Sequence, residues 1–156
     1  MAEEASTATG ELDGILQRLR ESHDALIKAI EKATPEDFQR PTENEDTTKR
    51  ILERAANDVN LYYGRLVAAA VSLPQPPYLE AADFGSIDEA SASIQEAHRR
   101  FTNLLHNLTE EDLARKTRLE TTSELTLRQV LETAAAHYKL RAEQMRSATR
   151  RRRKRA

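Results

Sequence analysis

Residues 19–38 read Leu-Arg-Glu-Ser-His-Asp-Ala-Leu-Ile-Lys-Ala-Ile-Glu-Lys-Ala-Thr-Pro-Glu-Asp-Phe. Residues 94–113 read Ile-Gln-Glu-Ala-His-Arg-Arg-Phe-Thr-Asn-Leu-Leu-His-Asn-Leu-Thr-Glu-Glu-Asp-Leu. At an offset of 75, Glu21, His23, Thr34, Glu36 and Asp37 meet Glu96, His98, Thr109, Glu111 and Asp112, and Leu19, Leu26, Ile30 and Phe38 meet Ile94, Phe101, Leu105 and Leu113. A second match follows at an offset of 79, where Ile51-Leu52-Glu53-Arg54-Ala55-Ala56 meets Val130-Leu131-Glu132-Thr133-Ala134-Ala135. The chain therefore carries two copies of one helical hairpin, and two copies are too few, and too long, for a solenoid.

Outward from the repeat, the apolar positions recur at three and four, the spacing of a helix face. The first helix spans about 10–33, with Leu12, Ile15, Leu16, Leu19, His23, Leu26, Ile27 and Ile30 on one stripe. Thr34-Pro35-Glu36-Asp37 restarts the chain as a capping box with Pro at the first helical position, and Arg40-Pro41 closes the short turn that follows. The second helix spans about 47–72 and stops at Leu73-Pro74-Gln75-Pro76-Pro77, because proline lacks the N–H and clashes with the preceding turn. The third spans about 87–108 and ends at a second capping signal, Thr109-Glu110-Glu111-Asp112; the fourth spans about 126–148. Four amphipathic helices of this length imply an all-α four-helix bundle. The 73–86 link is long enough to run back along a helix of about 36 Å, so the second and third helices can be parallel. The order is then up-down-down-up, the arrangement that pairs two hairpins about a pseudo-two-fold axis; up-down-up-down is the alternative.

Composition narrows the function. A chain of 156 residues suits one domain, here 10–148, with 1–9 expected to be disordered and 149–156 a basic tail. There is no Cys, which excludes disulfides, thiolate nucleophiles and Cys-ligated metals. No apolar run is long enough to span a membrane, and the acidic, Ser/Thr-rich start lacks a signal-peptide core, so a cytoplasmic location is expected. The net charge of −2 hides an asymmetry. Without Arg150, Arg151, Arg152, Arg153, Lys154 and Arg155 the body holds 18 basic against 26 acidic residues, about −8. Such a body is no nucleic-acid-binding fold; at most the tail contacts phosphates, and otherwise it is a solvated, self-repelling run.

His137 is the sharpest chemical candidate, since it lies mid-helix beside Ala134, Ala135 and Ala136, which leave room around the imidazole. A neutral imidazole is a metal ligand or a base near pH 7. A metal on one helix wants a second ligand three or four residues on, and that position is Arg141, a guanidinium with no lone pair to give. The alternatives are a core histidine hydrogen-bonded to a neighbouring helix and a His/Arg pair that binds an anion or substrate. His23 and His98 are duplicated by the repeat; they either pack as scaffold, face each other, or hold a ligand on the axis. Tyr62, Tyr63 and Tyr138 are expected near the core, with hydroxyls available to a pocket.

The segment from Thr126 to Met145, Thr-Leu-Arg-Gln-Val-Leu-Glu-Thr-Ala-Ala-Ala-His-Tyr-Lys-Leu-Arg-Ala-Glu-Gln-Met, resembles the last helix of the DinB-like superfamily. Thr34-Pro35-Glu36-Asp37 with Arg40-Pro41, and Ile51 to Leu66, are similar to its earlier segments, so the resemblance covers roughly 12–146. It implies an up-down-down-up four-helix bundle, often a homodimer, in a group that includes metal-dependent thiol S-transferases and mycothiol-dependent maleylpyruvate isomerases. It also implies a divalent metal such as Zn or Ni held by three histidines, one on the second helix and a His-x-x-x-His pair on the fourth. Those positions here are Arg54, His137 and Arg141, so one of the three is kept. The expectation is a site made of Arg54, Asp58, His137 and Arg141 that binds a small anionic ligand without a metal cofactor. The alternatives are a metal-dependent transferase or hydrolase using His137 with Asp58 or Asn57, and an interaction module recruited to nucleic acid by the tail. Under the offset of 79, Arg54 meets Thr133 and Asp58 meets His137, so the two halves differ at this place.

Overall fold

A computed structural model describes residues 2–39, 47–75, 79–120 and 122–155, with the side chains of 2–9 and 150–155 outside the description. The Arg40-Pro41 closure and the Pro76-Pro77 part of the second stop signal lie outside the described residues. Among the described residues the chain is all-α apart from one short ribbon of two-residue strands. Helix α1 spans Ala2–Glu31, a short α2 Pro35–Gln39, α3 Thr48–Asn57, α4 Gly64–Ala70, α5 Ile87–Leu105 and α6 Leu127–Arg155. A π-helical stretch, Asp58–Tyr63, fuses α3 to α4 into one long run, and a 3-10 turn covers Glu110–Ala114.

The repeat is visible as burial. At the offset of 75, Leu12, Ile15, Leu19, Leu26, Ile30 and Phe38 are buried, and so are Ile87, Ala90, Ile94, Phe101, Leu105 and Leu113. At the offset of 79, Ile51, Leu52, Ala55, Ala56 and Val59 are buried with Val130, Leu131, Ala134, Ala135 and Tyr138. Both capping signals form as expected. The Thr34 amide donates to Asp37 Oδ2 at 2.8 Å and the Asp37 amide to Thr34 Oγ1 at 3.2 Å. The Thr109 amide donates to Asp112 Oδ2 at 2.8 Å in the matching box.

Contacts between the helices give their directions. Glu11 pairs with Arg128 at 2.6 Å near the start of α1 and α6, and Lys28 and Lys32 share a groove with Arg146 farther along, so these two helices are parallel. His23 meets His98 while Leu16 shares a groove with His106, so α1 and α5 are antiparallel. Arg100 donates to Asn60 at 3.1 Å and Gly64 shares a cavity with Leu104, so the α3–α4 run is parallel to α5. Asp58 meets Arg141 and Tyr63 meets His137, so that run is antiparallel to α6. The order is up-down-down-up. The link that allows it folds back along α3, where the Ala82 amide donates to Asn57 Oδ1 at 2.8 Å and the Phe84 amide to Glu53 Oε2 at 2.9 Å.

The helices of each repeat unit are successive in sequence but not the closest neighbours in space. α1 packs mainly on α6, and the α3–α4 run packs on both α5 and α6. Among the described residues, α1 has at most marginal backbone proximity to the α3–α4 run, and so does α5 to α6. Each unit is a helix pair whose members lie diagonally across the core, and the two units interlock.

Three local differences from expectation have physical causes. α1 begins at Ala2 where residues 1–9 were expected to be disordered; Ala and Glu are strong helix formers, and acidic residues suit a helix N-terminus. α6 runs to Arg155, so no boundary falls at 148; Arg and Lys favour helix, and cations suit its C-terminus. The 114–125 link contains a short antiparallel ribbon, Lys116–Thr117 with Leu125–Thr126, anchored where Thr117 Oγ1 donates to the Leu66 carbonyl at 2.7 Å.

Candidate functional site

α6 buries Leu127, Val130, Leu131, Ala134, Tyr138, Ala142 and Met145. His137 sits at the edge of that stripe, with 38% of its side chain exposed. Opposite lies the π-helical stretch. In an α-helix, positions five apart differ by about 140° around the axis and face different ways. Hydrogen bonding from i to i+5 reduces that angle, and the Gly64 amide does bond to the Val59 carbonyl five residues back. The wider turn brings Asp58 and Tyr63 to the same imidazole. Gly64 permits it, because a Cβ there would lie 3.0 Å from the Val59 carbonyl oxygen.

Tyr63 Oη lies 2.5 Å from His137 Nδ1, and Asp58 Oδ2 lies 3.7 Å from the same nitrogen. Arg141, one turn beyond His137, donates to Asp58 Oδ2 from Nε at 3.3 Å and from Nη2 at 3.2 Å, and its Nη1 donates to Gln144 Oε1 at 3.2 Å. Burial raises the Tyr63 phenol above its ordinary value, with Asp58 and Tyr62 adding to the effect and Arg141 opposing it. The hydroxyl therefore stays protonated and is a donor to Nδ1. Accepting that bond at Nδ1 leaves the His137 proton on Nε2, on the side of the ring away from Tyr63. The Asp58 carboxylate neutralises the Arg141 guanidinium.

The structure thus brings Asp58, His137 and Arg141 together and adds Tyr63, whose role sequence reading placed only generally near a pocket. Arg54 is half-buried one turn before Asp58 on α3, about 6 Å along the axis. Asn57 is engaged elsewhere, accepting from the Ala82 amide. Among the described residues, no group of three or more His, Cys, Asp or Glu is placed to hold a metal ion. The helix axis continues through Arg150–Arg155, whose side chains lie outside the description. No helix among the described residues is long and apolar enough to cross a membrane. The signal that could have revealed Tyr63 was Gly64 inside an apolar helix, a residue that weakens a helix unless the backbone needs it.

A second polar cluster lies at the edge of the core, with His23 buried and His98 half-buried. His23 and His98 stack, centroid to centroid, at 3.6 Å with an interplanar angle of 5°. Tyr138 Oη lies 2.9 Å from His98 Nδ1, and the tyrosine meets both imidazoles edge-on. His23 Nδ1 is 3.8 Å from Asp24 Oδ1, and its Nε2 is buried without a hydrogen-bond partner. Burial, reinforced by the neighbouring His23, pushes His98 down to about 3. Burial also lowers His23, against the pull of Asp24. Both rings are therefore neutral at pH 7.

Comparisons with known proteins bear on the fold. The model of the DinB superfamily matches residues 46–145, which include the π-helical stretch and His137. Among solved structures, the chain is similar to a DinB-like protein, YjoA, from Bacillus subtilis. The identity is 16%, the match covers 88% of this chain and 91% of that one, and the TM-score is 0.67. At that identity the likeness speaks for the fold alone. No curated protein matches the chain.

Proposed function

The chain belongs to the DinB superfamily, and on that premise we propose that it is a small-ligand-binding member whose metal site is degenerate. His137 is the one kept position of the three histidines that the resemblance implies. The other two are Arg54 and Arg141. The single observation that carries the reading is the Arg141–Asp58 pair at 3.2 Å. It sets a guanidinium four residues after His137 and occupies the nearest carboxylate. A zinc-type ion there would meet one imidazole and one carboxylate, His137 and Asp58, beside a fixed positive charge, whereas zinc sites use three or four His, Cys, Asp or Glu ligands. The donor set does not fit the metal.

What remains is a polar edge. His137 is oriented by Tyr63 and offers an Nε2–H to an acceptor, and the half-buried Arg54 lies one turn before Asp58 on the facing helix. A ligand with a small anionic group suits this edge: it accepts from Nε2 while the Arg141 charge stays balanced by Asp58. The reading is that of a binding protein; no catalytic role is assigned to any residue.

Metal analysis of purified protein, followed by dialysis against ZnCl2 and NiCl2, tests it. The expected result is far less than one equivalent retained. One equivalent of tightly held metal, lost on His137→Ala, overturns the proposal in favour of a metal-dependent transferase or hydrolase.

A further inference from the structure

α1 lies close along α6 but touches α5 only lightly, and the space left between α1 and α5 is an open groove of about 400 Å3. Leu16, Leu19 and Leu105 supply its apolar wall; Arg20, His98 and His106 supply polar groups. None of the lining residues is acidic, in a chain whose body without the terminal basic run is about −8. Arg20 has no carboxylate partner among the described residues. This is a local reversal of the charge of the whole body.

His98 is fixed in the wall. Its Nδ1 faces Tyr138 Oη at 2.9 Å, and its ring rests flat on His23. Tyr138 is buried and holds its proton, so it donates to Nδ1, and the His98 proton then sits on Nε2 at the side of the ring turned from Tyr138. A rigid N–H donor, an exposed guanidinium and a second imidazole surround a leucine-lined floor.

We propose that the groove between α1 and α5 is a binding site for a small organic carboxylate, with Arg20 on the charge, His98 Nε2–H on an oxygen and the leucines on a short apolar body. A carboxylate fits better than a phosphate. Arg20 supplies one permanent charge, matching a monoanion, and nearly half of the lining is leucine, which an inorganic ion leaves unused. The site is separate from the His137 edge and does not depend on the reading of that edge.

Titration of the 15N-labelled full chain with hexanoate, hexanol and inorganic phosphate, read from the imidazole and amide resonances, tests the proposal. Hexanoate is expected to shift the His98 and His106 imidazoles and the Leu19 and Leu105 amides saturably, with a dissociation constant of millimolar order. Arg20→Gln and His106→Gln change exposed residues and leave the core intact. Arg20→Gln is expected to weaken hexanoate about tenfold. Hexanol, which lacks the charge, is expected to bind at least about tenfold more weakly than hexanoate. The proposal is overturned if no saturable shift appears by about 50 mM, if Arg20→Gln binds hexanoate as wild type does, or if the shifts fall on His137 instead. Phosphate binding as tightly as hexanoate through the same residues overturns the carboxylate assignment.

Discussion

His23 and His98 stand 75 residues apart in sequence, yet their rings lie parallel at 3.6 Å, each taken from the same position of one repeat copy. The duplicated histidine meets itself near the pseudo-two-fold axis, and Tyr138, present in one copy only, breaks the symmetry by bonding to His98. Two stacked rings this close cannot both be charged without strong repulsion in a poorly solvated place.

Stability is therefore expected to fall in mild acid. His98 sits at about 3 in the folded chain against 6.5 for an ordinary histidine, and His23 is lowered too. Between those values the unfolded chain binds more protons than the folded one. The full contribution is present above about pH 6.5 and is lost as pH falls toward 3, with a slope of at most about 1.4 kcal/mol per pH unit for each imidazole. Urea midpoints at pH 7.5, 6, 5 and 4 should fall in sequence, and His98→Gln should flatten the trend. A midpoint unchanged from pH 7.5 to 5 would contradict the buried neutral pair.

Arg141→His should create a metal site. It places an imidazole four residues after His137 and releases Asp58 from its ion pair, giving three ligands around one point. Calorimetric titration with Zn is expected to show affinity at least about tenfold above wild type. Equal affinity in the two proteins would mean that Arg141 is not what keeps metal out.

Gly64→Ala usually stabilises a helix by about 0.5–1 kcal/mol. Here the sign should reverse, because the added Cβ would lie 3.0 Å from the Val59 carbonyl oxygen across the π turn. A loss of about 1–3 kcal/mol is expected from equilibrium unfolding. A more stable variant would show that the π turn relaxes to α-helix without cost.

Ser72 is the one described non-glycine residue with a left-handed backbone, at φ 58°. It ends α4, and the Leu73 amide reaches back to the Ala68 carbonyl at 2.9 Å in the manner of a Schellman cap. Ser72→Gly removes the Cβ penalty and should stabilise by up to about 1 kcal/mol. A drop in thermal midpoint would show that the serine makes a compensating contact.

Much of the fold was legible because the signals were redundant. Thr34/Asp37 and Thr109/Asp112 announce the same cap twice, and the buried positions recur at fixed offsets, so each half checks the other. The length of the 73–86 link allowed parallel second and third helices, and the pairing of two hairpins favoured them over up-down-up-down. The site was less legible. Asp58, His137 and Arg141 could be placed on facing helices, but their pairing depends on an i→i+5 turn that no periodicity of apolar residues encodes. Asp58 and Tyr63 sit five apart, a spacing that reads as two different faces.

The diagonal placement of each unit's helices carries a consequence for how such a chain folds. The first unit's two long helices bury their apolar stripes against the second unit, not against each other. A fragment cut in the 73–86 link would hold two amphipathic helices with little mutual interface. It could satisfy itself only by closing with another copy, in the way exchanged segments join domain-swapped dimers. The two halves are thus a covalently tethered pair: neither is an independent folding unit, and the link keeps them at high mutual concentration. Separately expressed halves, mixed in equal amounts, should regain helicity that neither has alone.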